Sequence, residues 1–206
     1  MTNRALIPAI LTVGGALIWL FYGPLDISII RWSQAHQGTW IKPVSAFITE
    51  FGVITGWLVG SMLLWFYLRY KAKQLAWADR VRFFFLSVAA SGLAVIPLKL
   101  FFGKARPSKL FDNDLYGFQW FAGPEAYGLH GFPSGHTTTA FSVATALALI
   151  FPRFAVLFYA GAALVGLSRI GVLYHYPSDV VAGAMLGTVL TLLLYNVDKI
   201  SFKRQL

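Results

Sequence analysis

Six apolar runs divide this chain, at residues 5–22, 44–70, 83–102, 134–151, 154–170 and 177–197. Each approaches the 17–25 residues that a helix needs to cross the hydrocarbon of a bilayer. Inside lipid the backbone must satisfy its own hydrogen bonds, so a chain patterned this way is restricted to helices. The predicted fold is all-α: an integral membrane bundle of six transmembrane helices, one domain over residues 1–206. Composition agrees, with 57% hydrophobic and 12% charged residues, against about 25% charged in a soluble domain. The run at 5–22 is not read as a secretory signal, because Trp19, Phe21 and Tyr22 stand where a small-residue cleavage site would be. The absence of cysteine excludes disulfides and thiolate metal sites.

The breaks between the runs carry the remaining organisation. Gly23-Pro24 ends the first run. Residues 26–43 are mixed, with Arg31, Trp32, His36 and Trp40, a pattern that predicts a short interfacial helix with an aromatic anchor. Residues 45–52 are open to a separate short helix. Arg69, Lys71, Lys73, Arg80 and Arg82 mark a basic loop, and Pro152-Arg153 a tight turn. Residues 108–132 form a long aromatic connection, either a lid or a substrate platform. Gly183 and Gly187 form a small-xxx-small pair suited to close helix packing.

The net charge of +9 does not point to nucleic acid, because the basic residues sit at the ends of apolar runs. Six spans put both termini on one side with ten basic residues, including Arg4, Arg153, Lys199, Lys203 and Arg204, against seven on the other. The cytoplasmic side takes the excess. The termini are therefore expected in the cytoplasm and the stretch 131–136 on the outward face.

Three groups of chemically capable residues fall on that outward face. Lys99 and Arg106 are seven apart, so a continuing helix would place them on one face. Pro133-Ser134-Gly135-His136 has the form of a helix N-terminus, with Ser134 as cap, free backbone N–H groups for an anion, and an imidazole beside it. Ser168-Arg169 and His175 to Asp179 lead into the last run, with Pro177 placed for a first helical position. Asp179 can accept a hydrogen bond from His175 and fix its tautomer, and Arg169 offers a planar fork for phosphate oxygens. Each group also has a plain structural reading: basic side chains snorkelling to headgroups, a capped helix, an interfacial ion pair. Together they supply charge neutralisation, a nucleophile and a proton donor for phosphoryl transfer. The set is cation-rich, so it predicts no metal and no cofactor.

Lys99-x6-Arg106-Pro107, Pro133-Ser134-Gly135-His136 and Ser168-Arg169-x5-His175-x3-Asp179 resemble, in order, the three-part signature of the type 2 phosphatidic acid phosphatase superfamily. The resemblance covers about residues 80–195, and no motif position departs from it. It implies that His175 attacks phosphorus to form a phosphohistidine and that Asp179 orients it. It implies that His136 protonates the leaving oxygen and then activates water. Lys99, Arg106, Ser134, Gly135 and Arg169 would hold the phosphate oxygens. Lys104, Lys109 and His130 lie near these positions in sequence without matching the signature.

The resemblance also implies a bacterial inner-membrane enzyme whose partners are the bilayer and a lipid phosphate. Phosphatidic acid, phosphatidylglycerol phosphate, undecaprenyl pyrophosphate and lipid A phosphates all remain open as substrates. Two rival activities suit the same residues. A phosphotransferase would pass the phosphoryl group to an acceptor lipid, and a non-catalytic carrier would only bind phosphate headgroups.

Overall fold

A computed structural model describes residues 3–203, with side chains described for residues 6–197. The side chains of Arg4, Lys199, Lys203 and Arg204 lie outside the described residues. The helices are α1 (Asn3–Phe21), α2 (Pro24–Ala35), α3 (Ile41–Thr49), α4 (Ile54–Phe66), α5 (Leu75–Phe102), α6 (Pro107–Asn113), α7 (Gly135–Ile150), α8 (Ala155–Gly171) and α9 (Pro177–Lys203). Among the described residues there is no strand, only an isolated antiparallel bridge between Lys104 and Phe118.

The bundle is built around α7, which packs against α5, α8 and α9. Small residues make this possible. Ala140 and Ala144 meet Ala162 and Val165 of α8, while Val143 and Ala146 meet Phe83, Phe84 and Val88 of α5. The polar side chains of α7 face inward and are satisfied there: Ser142 bonds Thr191 of α9 at 2.9 Å and Thr145 bonds Tyr159 of α8 at 3.0 Å. Gly183 and Gly187 bring α9 onto α7 as their spacing predicts. A Cβ on Gly183 would lie 2.6 Å from the Ser134 carbonyl oxygen, and one on Gly187 would meet the Thr138 carbonyl.

The outer surface is apolar. Trp19, Phe47, Leu63, Leu93, Val156 and Leu157 are each more than half exposed. Soluble monomers rarely show such a surface, whereas a bilayer solvates it. Four stretches are long and apolar enough to cross a membrane: Ile41–Lys71, Leu75–Phe102, Pro152–Gly171 and Pro177–Val197. A fifth exists if Leu6–Phe21 and Pro24–Ala35, bent by 67°, form one broken span. The sequence expectation of six is therefore met only in part. α7 has 16 residues, about 24 Å at 1.5 Å per residue, and it is enclosed by its neighbours rather than lipid-facing.

Several boundaries differ from the sequence reading, each for a local reason. The second run is interrupted: α3 tightens into a 3-10 turn at Glu50–Gly52, and Val53 is extended before α4. α5 begins at Leu75, so Arg80 and Arg82 lie on a helix and not in a loop. Arg80 stacks over Trp77 at 4.5 Å. Lys99 and Arg106 do not share a helix face. α5 stops at Phe102, Gly103 takes the left-handed conformation (φ 57°), and Arg106 is extended ahead of Pro107. The 108–132 connection contains α6 and an aromatic cluster in which Phe118, Trp120 and Phe121 pack against Phe101, Phe102 and Phe132.

Candidate active site

The N-terminus of α7 forms the floor of the site. Ser134 occupies the cap position, but its hydroxyl does not cap; it accepts a hydrogen bond from Thr137 Oγ1 at 2.9 Å. No side chain closes the first turn, so the positive end of the helix stays open toward an anion. The Ser134 N–H donates to the Asp179 carbonyl at 3.0 Å, which ties this turn to the start of α9. Gly135 abuts Lys99: a Cβ there would lie 4.0 Å from Lys99 Cε. His136 follows, half-buried, with its side chain seated on Gly52. A Cβ on Gly52 would come within 2.8 Å of His136 Cβ.

Three cations gather around this turn although they come from different elements. Lys99 Nζ and Arg106 Nη2 both donate to the His130 carbonyl oxygen, at 2.6 and 3.3 Å. Arg169, near the end of α8, donates through Nη1 to Thr49 Oγ1 and lies over the Tyr174 ring at 4.8 Å. Arg106 lies over the Tyr127 ring at 4.1 Å. The Nε atoms of Arg106 and Arg169 are buried without a partner. These two guanidinium N–H groups are thus available as donors to an oxyanion. Burial pushes Arg106 below its ordinary value.

His175 lies in the short link between α8 and α9, buried at 2% exposure. Its Nδ1 is 2.8 Å from the Gly131 carbonyl oxygen. A carbonyl can only accept, so Nδ1 carries the proton and Nε2 carries the lone pair. Asp179 Oδ2 stands 3.6 Å from the same nitrogen. The sequence reading gave the orienting hydrogen bond to Asp179; the structure gives it to Gly131, with Asp179 as an electrostatic neighbour. The reason is that Asp179 is already engaged: Oδ1 accepts from Lys104 at 2.8 Å and Oδ2 from the Tyr176 N–H at 2.9 Å. Burial holds His175 well below the ordinary imidazole range, and Lys99, Arg106 and Arg169 add to the lowering.

All eight candidate residues, Lys99, Arg106, Ser134, Gly135, His136, Arg169, His175 and Asp179, are thus brought to one end of the bundle. Three residues nearby in sequence behave otherwise. Lys104 is wholly buried behind the site and faces no solvent. The His130 ring turns away to the Gly123 carbonyl at 3.0 Å, and only its backbone oxygen serves the cluster. Lys109 lies against Gly128. The sequence reading missed Asp26, Thr49 and Gly52. Asp26 had one visible sign, a carboxylate in a helix first turn in a chain with only eight acidic residues.

The apolar coat and the long apolar helices define a membrane protein, and three cations, two imidazoles and an open helix N-terminus meet at one end of its bundle. The chain is a member of the PAP2 superfamily, which residues 80–203 match. It is 36% identical over 164 residues to a protein named lipid A 1-phosphatase from Rhizobium johnstonii, covering 74% of this chain and 66% of that protein. It is 35% identical over 177 residues to a lipid A 1-phosphatase from Rhizobium etli, covering 79% of this chain and 75% of that one. Its fold is shared with a transmembrane PAP2-type phosphatidylglycerolphosphate phosphatase from Bacillus subtilis, at TM-score 0.66 and 20% identity, over 94% of this chain and 96% of that one.

Proposed function

We propose that this protein is a lipid phosphate phosphatase that works through a phosphohistidine on His175. The observation that carries the reading is the Nδ1 bond of His175 to Gly131, which leaves Nε2 free beside three cations with two unpartnered guanidinium N–H groups. Lys99, Arg106, Arg169 and the α7 N-terminus hold the phosphate oxygens. The His175 Nε2 lone pair attacks phosphorus, the bond from phosphorus to the lipid oxygen breaks, and His136 delivers a proton to that oxygen. His136 then takes a proton from water as water attacks the phosphohistidine, releasing phosphate and restoring His175.

The family and the relatives support a lipid phosphate phosphatase. The two relatives named lipid A 1-phosphatase favour a lipid A phosphate over the other lipid phosphates. The chain spans 66% and 75% of those relatives' lengths. We place residues 1–206 as one domain with six spans, counting α1 and the enclosed α7 with the four long stretches. α2 lies at the interface, the termini in the cytoplasm and the site on the outward face of a bacterial inner membrane. Basic residues support that orientation, and the exposed apolar coat supports the embedding.

The test is phosphate release by purified protein in detergent from lipid A, phosphatidylglycerol phosphate, phosphatidic acid and undecaprenyl pyrophosphate, with no acceptor lipid. Release, fastest from lipid A, supports the reading. Release only when an acceptor is added means a transferase, and binding without release means a carrier.

A further inference from the structure

Behind His175 lies a charged cluster that the catalytic scheme does not use. Lys104 is 0% exposed, and its ammonium spends its three protons on Asp26 Oδ2 (3.0 Å), Ser178 Oγ (2.6 Å) and Asp179 Oδ1 (2.8 Å). Aromatic rings wall it in: Tyr176 at 4.8 Å, Tyr22 at 5.3 Å, Tyr116 at 5.5 Å, Phe118 at 5.8 Å and Phe132 at 5.9 Å. Asp26, on α2, is equally buried. It accepts from the Ser178 N–H (2.9 Å), the Tyr116 hydroxyl (2.9 Å) and the Ser178 hydroxyl. Desolvating three charges is costly, and an apolar filling of the same volume would serve stability as well or better. Asp26 lies outside the matched stretch 80–203, and Lys104 lies between the signature positions Lys99 and Arg106.

The cluster reaches His175 by two routes. Through its side chain, Lys104 fixes Asp179, whose other oxygen is 3.6 Å from His175 Nδ1. Through its backbone, the Lys104 carbonyl accepts from the Gly131 N–H at 2.8 Å, and Gly131 in turn accepts from His175 at 2.8 Å. Lys104, Asp26 and Asp179 together carry a net single negative charge, opposite the positive charges of Lys99, Arg106 and Arg169. Attack on phosphorus turns the His175 ring into a cation, and this negative charge comes within 3.6 Å of the ring's Nδ1 through Asp179 Oδ2.

We propose that Asp26 and Lys104 are a positioning pair that sets the charge and the place of Asp179 behind His175, so that α2 takes part in tuning the nucleophile. The proposal rests on His175 being the nucleophile. The groups that act on His175 are Lys99 from α5, Arg106 ahead of α6, Arg169 from α8, Asp179 from α9 and the Gly131 carbonyl. Of these, only Asp179 touches Lys104, through its Oδ1 at 2.8 Å, so substituting Asp26 or Lys104 acts on His175 through Asp179.

The experiment is the pH profile of kcat/KM on one lipid phosphate for wild type, Lys104→Met, Asp26→Asn and the double variant, each with a thermal melt. Using one substrate throughout cancels its own titration. Lys104→Met adds a net negative charge behind His175, so the ring protonates more readily and the acid limb moves up by about one pH unit. Asp26→Asn removes one, and the limb moves down. The double variant restores the net charge and returns the limb close to wild type, with KM little changed throughout. If Lys104→Met does not fold, Asp26→Asn and the double variant decide the matter. Limbs that stay at the wild-type position in folded variants overturn the proposal, as does a double variant whose limb fails to return. Failure of wild type to release phosphate, or activity in His175→Ala, would instead sink the nucleophile assignment itself.

Discussion

His175 Nδ1 lies 2.8 Å from the Gly131 carbonyl oxygen and 3.6 Å from Asp179 Oδ2. The backbone therefore fixes the tautomer, and the carboxylate supplies charge. Gly131 lies in the long connection and His175 in the α8–α9 link, so the proposed nucleophile is held between two loops.

The pH dependence follows from the burial of His175. In the proposed mechanism the ring must be neutral to attack. Burial first, then Lys99, Arg106 and Arg169, hold it well below the ordinary value of 6.5. A group with a lowered pKa stays deprotonated to lower pH, so the acid limb of kcat/KM due to this residue lies below 6.5. Arg106→Gln removes one lowering charge, so this limb moves up even as binding weakens. The pH–rate profiles of the two proteins check both statements.

Gly52 controls His136 from a different element. A methyl group there would lie 2.8 Å from His136 Cβ and 2.9 Å from Val165 Cγ1. Gly52→Ala shifts the imidazole, and we expect kcat to fall about 10- to 100-fold with a small change in KM. Steady-state kinetics on a lipid phosphate provide the check.

Gly183 seats α9 against the turn that opens the site. An added Cβ would meet the Ser134 carbonyl at 2.6 Å and Thr138 N at 3.2 Å, both backbone atoms that cannot swing away. Gly183→Ala is expected to cost about 1–3 kcal/mol and to lower activity through the displaced α7 N-terminus. Thermal melting in detergent, paired with activity, measures the two effects.

Metal removal is expected to change nothing. In the proposed mechanism Lys99, Arg106 and Arg169 provide the positive charge that a divalent ion would otherwise bring to a phosphoryl group. Among the described residues no three His, Cys, Asp or Glu side chains gather as ligands. Phosphate release in EDTA should equal release without it, and added magnesium should not raise it.

The signature residues were legible because their chemistry is conspicuous in an apolar chain. Charges at the ends of apolar runs, a Pro-Ser-Gly helix start and His175 four residues before Asp179 each stand out, and topology alone sends them to one face. The hidden part depends on distant partners. Asp26 meets Lys104 across 78 positions and Thr49 meets Arg169 across 120, and no local pattern announces either. Spacing also misled where the backbone intervenes. Lys99 and Arg106 meet through the His130 carbonyl, because Gly103 ends the helix that their separation presumes. α7 was placed correctly in sequence, yet its length and its inward Thr and Ser side chains make it the enclosed core of the bundle.

The central claim is that His175 carries the phosphoryl group. Wild-type protein mixed with a radiolabelled lipid phosphate and quenched in alkali should retain label on the protein, lost again on mild acid treatment as a phosphohistidine is. His136→Ala should slow turnover by about 10²–10⁴-fold and keep a protein-bound label, while His175→Ala should show neither label nor phosphate release. Label or release persisting in folded His175→Ala would contradict the account.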